Sequence, residues 1–160
     1  MKKEHHYKSK LQWTGNKGSG TANYRSFERS YCISIDNKPD ILGSSDPAFR
    51  GDATKYNPEE LLVASLSSCH MLWYLHLCSE AGVIVVNYND NASGTMIETS
   101  DGGGRFSEVT LHPKVTVSES KMIKKAQELH AKANQLCFIA NSVSFKVAHQ
   151  ASCVSLEDAL

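Results

Sequence analysis

The sequence shows no excess of either charge, no regular cysteine framework and no internal repeat. Its 160 residues include 17 Lys and Arg and 17 Asp and Glu, so the formal net charge is zero. Without a basic stripe or an acidic tail, nucleic acid is not expected as a partner. With no low-complexity segment either, the simplest organisation is a single α+β domain over residues 1–160.

Cysteine is present, but its pattern argues against a secreted disulfide scaffold. The five cysteines are an odd number, are irregularly spaced and include no C-x-x-C pair, which is typical of a reducing compartment. The first residues, MKKEHHYKSKLQW, lack the apolar segment of a signal peptide. These features together predict a cytoplasmic protein.

A long uncharged run, 61–79, raises the question of a membrane span. Serine, histidine and tyrosine interrupt it, and no spanning helix is expected for that reason. Asn57 is a good N-cap, Pro58 suits the first helical position, and Glu60 completes a capping box. We therefore expect a central core helix, apolar nearly all round, that ends at Gly82.

The remaining segments carry strand signals, one further helix signal and one long loop. Residues 42–57 have no periodicity and contain Gly, Pro, Ser and Asp, and long ordered loops are often functional. A glycine-rich turn at 100–104 predicts an antiparallel hairpin. The second helix is amphipathic, begins at Ser118 or Glu119 and ends near 136. The predicted strands are 7–13, 24–35, 83–99, 105–117 and 142–151.

Cysteine placement separates one candidate from the others. Cys69 lies within the first helix beside polar neighbours, whereas Cys32 and Cys153 are most simply small buried hydrophobes. Cys78 follows Cys69 by nine residues, about 13 Å along the helix axis, which is too far for a disulfide.

A zinc site is the alternative use of this helix. Four soft or borderline ligands lie close together in sequence, yet no two of them have the i,i+3 or i,i+4 spacing of neighbouring ligands on a helix. A metal is therefore not expected. The four are Cys69, His70, His76 and Cys78.

A thiol peroxidase would require a cation beside the attacking thiolate, a carboxylate to hold that cation, and a second thiol. The chain offers Arg50 in the long loop, Glu59 at the helix start, and Cys137 after the second helix. Sequence spacing alone does not show that these residues meet.

The arrangement resembles the OsmC/Ohr family of thiol-dependent hydroperoxide reductases. The helix opens Asn-Pro-Glu-Glu-Leu at 57–61, and Cys69 comes ten residues after Glu59. The resemblance implies an OsmC-like fold, with antiparallel sheets packed around two long central helices in an intertwined homodimer. It implies no cofactor and no metal.

The same resemblance assigns roles to individual residues. Cys69 would be the peroxidatic thiol, Cys137 the resolving thiol, and Glu59 the carboxylate that orients an arginine. Arg50 matches the loop arginine of the OsmC branch, whereas Arg25 or Arg29 would match the earlier arginine of the Ohr branch. The family commonly has Pro and an aromatic after the second cysteine, where this chain has 138–139, Phe-Ile.

The resemblance therefore predicts a cytoplasmic stress-response peroxidase that reduces organic hydroperoxides through a Cys69–Cys137 disulfide, with hydrogen peroxide as a second candidate substrate. A dithiol would restore the thiols, and a lipoyl protein is the candidate for that role. Glu59 and Cys69 are separated by about 15 Å along one helix, so the loop and helix start of one subunit are expected to reach the cysteines of the other.

A second function remains open at this point. The same homodimer could be a non-catalytic stress-associated protein that holds a small apolar ligand at its interface. His70, Trp73 and Tyr74 would then line a pocket, or belong to the core.

Overall fold

The structure is a computed structural model in which residues 3–157 are described. The chain is divided into two compact units, Met1–Leu61 and Leu62–Leu160. The first holds a small sheet and the long loop, and the second holds both remaining sheets and the second helix.

The sheet of the first unit contains three short antiparallel strands in the order β1-β2-β3. The predicted strands 7–13 and 24–35 include β1 and β2 but are too long, because the intervening turns are held by side chains. Among these, the indole N–H of Trp13 donates to the Glu28 carbonyl at 2.8 Å. The strands are β1 (Lys10–Trp13), β2 (Tyr31–Ser34) and β3 (Ile41–Gly43).

The long loop is ordered by local hydrogen bonds rather than by periodicity. Asp46 caps a short 3-10 helix, Pro47–Phe49, by accepting from the amide of Ala48 at 2.7 Å. A Cβ on Gly51 would lie 1.5 Å from the Ser45 carbonyl oxygen, so this position requires glycine.

Helix α1, Pro58–Glu80, begins as the capping box predicts. The amide of Glu60 donates to Asn57 Oδ1 at 2.7 Å, and the amide of Asn57 donates to Glu60 Oε2 at 3.1 Å. Gly82, at φ 69°, follows the helix as predicted, and the Val83 amide donates back to the Cys78 carbonyl.

The burial of α1 differs from the prediction. Its buried residues recur every fourth position, so one stripe of the helix faces the core of the chain and the rest does not. By length and composition α1 could cross a membrane, and 22% of its most apolar window is buried within the chain. The buried residues are Leu66, His70, Tyr74 and Cys78.

The second unit contains two three-stranded sheets, with orders β4-β7-β9 and β5-β6-β8. The predicted strands 83–99 and 105–117 are each split in two, and the predicted antiparallel hairpin is confirmed, because β4 pairs with β7 and β5 pairs with β6. Asp90 lies at the break, where its carboxylate accepts from the amide of His112 at 2.6 Å and links the two arms. The strands are β4 (Val85–Asp90), β5 (Ser93–Glu98), β6 (Gly104–Leu111) and β7 (Pro113–Val117).

The predicted final strand 142–151 is also two strands, β8 (Lys146–His149) and β9 (Ser152–Ser155). Each adds in parallel to a different sheet, β8 to β6 and β9 to β7. The α+β class is confirmed, and these two sheets are mixed rather than wholly antiparallel.

Helix α2, Ile123–Leu136, follows a single 3-10 turn, Ser120–Met122. Its end at Leu136 agrees with the prediction. One core cluster lies between α1, α2 and the β4-β7-β9 sheet, and a second lies between α1 and the β5-β6-β8 sheet. The fold thus ends α2 at Cys137, beside the middle of α1.

Candidate functional site

Two of the predicted site residues are brought together by the second unit. Cys69 is half-buried on α1, and Cys137 is buried at the end of α2. Both are free thiols, and Cys69 lies near enough to Cys137 to raise its pKa. Two neighbouring free thiols are candidates for a disulfide.

The Cys137 thiol is held in its protonated form. Burial, and then the neighbouring Cys69 thiol, raise the pKa of Cys137 to about 11. Cys137 therefore stays protonated at neutral pH. Because the thiolate is the nucleophile, Cys137 is poorly suited to attack a substrate first.

The chain turns sharply after Cys137, although it lacks the proline that commonly follows the second cysteine in the OsmC/Ohr family. Cys137 is extended at φ −63° and ψ 113°, and its sulfur accepts from the amide of Ala140 at 3.4 Å. The Ser142 hydroxyl donates to the Phe138 carbonyl at 2.7 Å and fixes the turn. Side-chain hydrogen bonds thus replace the conformational restriction of a proline.

Phe138 has a defined place despite this departure. Its ring meets Trp73 edge to face at 5.5 Å between centroids, although 67% of the side chain is exposed. Trp73 lies one turn after Cys69 on α1. The aromatic pair therefore links the segment after Cys137 to the helix that carries Cys69.

The three candidate arginines lie in the first unit and are not equivalent. Arg29 donates to the carbonyls of Phe27 and Tyr24, each at 2.8 Å, and its guanidinium stacks on both rings. Arg25 is exposed and held only through its backbone amide. Two guanidinium nitrogens of Arg29 are thus engaged by backbone carbonyls of the first unit.

Arg50 is exposed and conformationally strained. It lies in the left-handed region at φ 65°, which is unfavourable for a residue other than glycine. Its guanidinium lies 5.9 Å from the Tyr24 ring, and within residues 3–157 it has no hydrogen-bond or ion-pair partner. Arg50 thus combines an unfavourable backbone conformation with side-chain donors that the described residues leave unused.

Glu59 lies in the same unit, and one of its carboxylate oxygens also lacks a partner. Its Oε2 atom is buried, and it has no hydrogen-bond partner in the described part of the chain. Burial and then the charge of Glu59 raise the pKa of Tyr31. Because a buried polar atom without a partner is costly, this oxygen is the unsatisfied feature of the helix start.

Comparison with known proteins identifies the family of the chain. The profile of a family described as OsmC-like protein matches residues 51–152. The chain belongs to the OsmC-like protein family. Among curated protein sequences, none matches it significantly.

Solved structures share the fold of this OsmC-like protein. One of unknown function from Vibrio cholerae is 28% identical, with a TM-score of 0.84, 93% of this chain and 100% of that one being covered. An organic hydroperoxide resistance protein from Elizabethkingia anophelis is 19% identical, with a TM-score of 0.69 and coverage of 97% and 99%. Another from Legionella pneumophila is 18% identical, with a TM-score of 0.68 and coverage of 95% and 98%.

The OsmC-like protein also contains a buried histidine cluster that sequence reasoning missed. His70 and His130 are 0% and 1% exposed, and His70 Nε2 lies 3.0 Å from His130 Nδ1. Tyr74 stacks on His130 at 3.9 Å, and the His149 ring lies 5.6 Å from that of His70. The signal was available, because His70 occupies the same stripe of α1 as the other buried residues.

Burial keeps these imidazoles neutral. It lowers the pKa of His70 to about 4 and that of His130 to about 3, and it lowers the pKa of His149 as well. His70 and Tyr74 are therefore core residues, whereas Trp73 packs against Phe138.

No group of three or more His, Cys, Asp or Glu side chains in residues 3–157 has an arrangement that could hold a metal ion. Within the candidate zinc set, His76 is exposed beside Trp73, whereas Cys78 is buried in the core. The four side chains therefore do not converge on one point.

Proposed function

We propose that this OsmC-like protein is a thiol-dependent peroxidase that reduces organic hydroperoxides. The observation that carries the proposal is the proximity of the Cys69 thiol on α1 to the Cys137 thiol at the end of α2. The family membership and the hydroperoxide resistance proteins among its structural relatives support a peroxide-related stress role.

The reaction begins with attack of the Cys69 thiolate on the distal oxygen of the hydroperoxide. The O–O bond breaks, the alkoxide takes a proton and leaves as an alcohol, and Cys69 becomes a sulfenic acid. The Cys137 sulfur then attacks the Cys69 sulfur, and the hydroxyl group leaves as water with the Cys137 proton. An external dithiol, such as a lipoyl protein, reduces the resulting disulfide.

The state of Cys137 orders these two steps. Its pKa of about 11 keeps it from competing for peroxide at neutral pH. It remains a thiol until the sulfenic acid forms beside it, so Cys69 is trapped as a disulfide before further oxidation.

Arg50 and Glu59 complete the proposed site across an intertwined homodimer. In this arrangement Arg50 lowers the barrier by stabilising the thiolate, and Glu59 holds the guanidinium in place. Two observations support it, the unpartnered buried Glu59 oxygen and the strained Arg50 without an ion pair among the described residues. The exposed face of α1, which includes Leu72 at 63% exposure, gives a second copy an apolar surface to cover.

The five free thiols favour a reducing compartment, which supports a cytoplasmic location. No cofactor enters this chemistry, because the oxidant is the substrate and the reductant is a dithiol.

The test is consumption of cumene hydroperoxide with dihydrolipoamide as reductant. Cys69→Ser should abolish turnover. Cys137→Ser should form a sulfenic acid that dimedone traps, while losing the disulfide. Cys32→Ser, a half-buried cysteine of the first unit, is the matched control and should keep wild-type turnover. Wild-type activity in Cys69→Ser would contradict the proposal and favour the non-catalytic ligand-binding protein.

A further inference from the structure

A second concave site lies within the second unit, beside the ends of β5, β6 and β8. Its volume is about 460 Å³, within the range of roughly 300–1,000 Å³ that is usual for small-molecule sites. None of the proposed peroxidase residues lines it. Its lining combines an aromatic floor with a cationic rim, which is an unusual pairing for a surface hollow.

The floor consists of two phenylalanine rings. Phe106 and Phe145 lie 5.4 Å apart between centroids and are tilted by 34°. Both pack against the core cluster that contains Leu66, Val109 and Leu111. Because these rings are anchored in the core, they form a preformed apolar surface rather than a mobile one.

A β-bulge in β6 sets the direction of the Phe106 ring. The β5–β6 register shifts between Thr95 and Met96, where Thr95 pairs with Glu108 and Met96 with Phe106. Ser107 is the extra residue, and its hydroxyl donates to the Thr95 carbonyl at 3.2 Å. The bulge turns Phe106 towards the same face as Val109, and bulges often re-aim side chains next to binding sites.

The rim carries two positive charges without a neutralising partner. Arg105 and Lys146 line the pocket, and among the described residues no Asp or Glu does. Glu108 is opposite Lys146 in the parallel register, yet neither cation forms an ion pair with any residue of the described chain. The hydroxyl of Ser144 lies in the same lining and adds a hydrogen-bonding group.

We propose that this pocket binds a flat aromatic carboxylate. The aromatic body would stack on Phe106 and Phe145, because tilted and offset ring arrangements are favourable. The guanidinium of Arg105 presents a planar fork that matches a carboxylate, and Lys146 contributes a second positive charge. The ligand should carry only one negative charge, because its aromatic body must lie on an apolar floor, where further charge would be costly.

The probe is 2-naphthoate, titrated calorimetrically into the reduced full-length protein. The proposal predicts saturable binding with one site per chain. The uncharged analogue 2-naphthamide has nearly the same shape, and it should bind at least ten-fold more weakly. No peroxide is present, so the result is independent of the thiol chemistry.

Variants locate the binding. Arg105→Gln and Lys146→Gln should each weaken 2-naphthoate binding about ten-fold, as expected for loss of one charged hydrogen-bonding group. Phe145→Leu keeps most of the core volume and should weaken binding a few-fold by removing the ring contact. Lys114→Gln, which removes an exposed lysine from the other sheet, is the matched control and should leave the affinity unchanged.

Three outcomes would overturn the proposal. They are absence of saturable binding up to millimolar 2-naphthoate, equal affinity for 2-naphthamide, and unchanged affinity in the Arg105→Gln/Lys146→Gln double variant.

Discussion

Helix α1 carries two adjacent residues, Cys69 and His70, that each form a side-chain pair with the region of α2. Cys69 pairs with Cys137, and His70 pairs with His130. Consecutive helical residues point about 100° apart, so the two side chains face different surroundings. Cys69 is half-buried, whereas both imidazoles of the histidine pair are fully buried. One helix thus carries a partly exposed thiol pair beside a fully buried imidazole pair.

The thiol pair and the imidazole pair differ in how much of their surface is exposed. Part of the Cys69 side chain is exposed, whereas the two imidazoles have almost no exposed surface through which to react. The thiol pair should therefore determine activity, and the imidazole pair should determine stability.

The largest expected effect is on activity at the thiol pair. Cys69→Ser should lower the rate of hydroperoxide reduction by at least about 10³-fold, because an alcohol is not ionised at neutral pH. Its thermal unfolding should stay close to that of the wild type, since the substitution is nearly isosteric. Stopped-flow peroxide consumption and calorimetric unfolding measure the two quantities. Substantial unfolding of Cys69→Ser would remove the contrast between the pairs.

The reverse is expected at the imidazole pair. His130→Ala removes a buried ring, leaves a cavity and strands His70 Nε2, so it should lower the free energy of unfolding by about 3 kcal/mol. Activity per folded molecule should be retained. His76→Ala, at an exposed position of α1, is the control and should change stability by less than about 0.5 kcal/mol. Denaturant titration distinguishes the variants.

Acid should also act on the imidazole pair. The folded-state pKa values of His70 and His130 lie below their ordinary value of 6.5. The unfolded chain therefore binds more protons as the pH falls through 6.5, and stability falls until the folded pKa values are reached. We expect a loss of a few kcal/mol between pH 7 and pH 4. A flat stability profile over that interval would show that the imidazoles are not held neutral.

At Arg50 we expect two smaller effects of opposite sign, one on stability and one on activity. Arg50→Gly relieves the left-handed backbone and should raise stability by about 1 kcal/mol, while the rate of hydroperoxide reduction falls about ten-fold. Asn37→Gly is the matched control, because Asn37 is the other described non-glycine residue with positive φ, at 63°. It should leave the rate unchanged. A wild-type rate in Arg50→Gly would remove Arg50 from the proposed site.

Local features of this molecule were predictable, and features that depend on tertiary contacts were not. The capping box at Asn57 and the helix stop at Gly82 follow from short-range hydrogen bonding and glycine geometry. The four strands of 83–117 were predicted as two, because the hydrogen bond at the break, from the His112 amide to the Asp90 carboxylate, joins residues far apart in sequence and no local propensity reveals it. Lone histidines on apolar faces gave no indication that His70 and His130 meet.

The candidate site was likewise predictable where it depends on local sequence and not where it depends on tertiary contacts. The helix motif and the resemblance single out Cys69, but no spacing rule brings it to Cys137. That contact depends on how α2 ends beside α1, and the turn after Cys137 uses Ser142 and Ala140 where the family commonly has a proline. The strain at Arg50 was equally hidden, although the glycine that follows it hinted at a tight loop.

The most direct test of the central claim is disulfide mapping after exposure to one equivalent of cumene hydroperoxide per chain. We expect free thiols to fall from five to three, and peptide mass spectrometry to find one new bond, between Cys69 and Cys137. Five remaining thiols, or a bond that joins other cysteines, would contradict this mechanism.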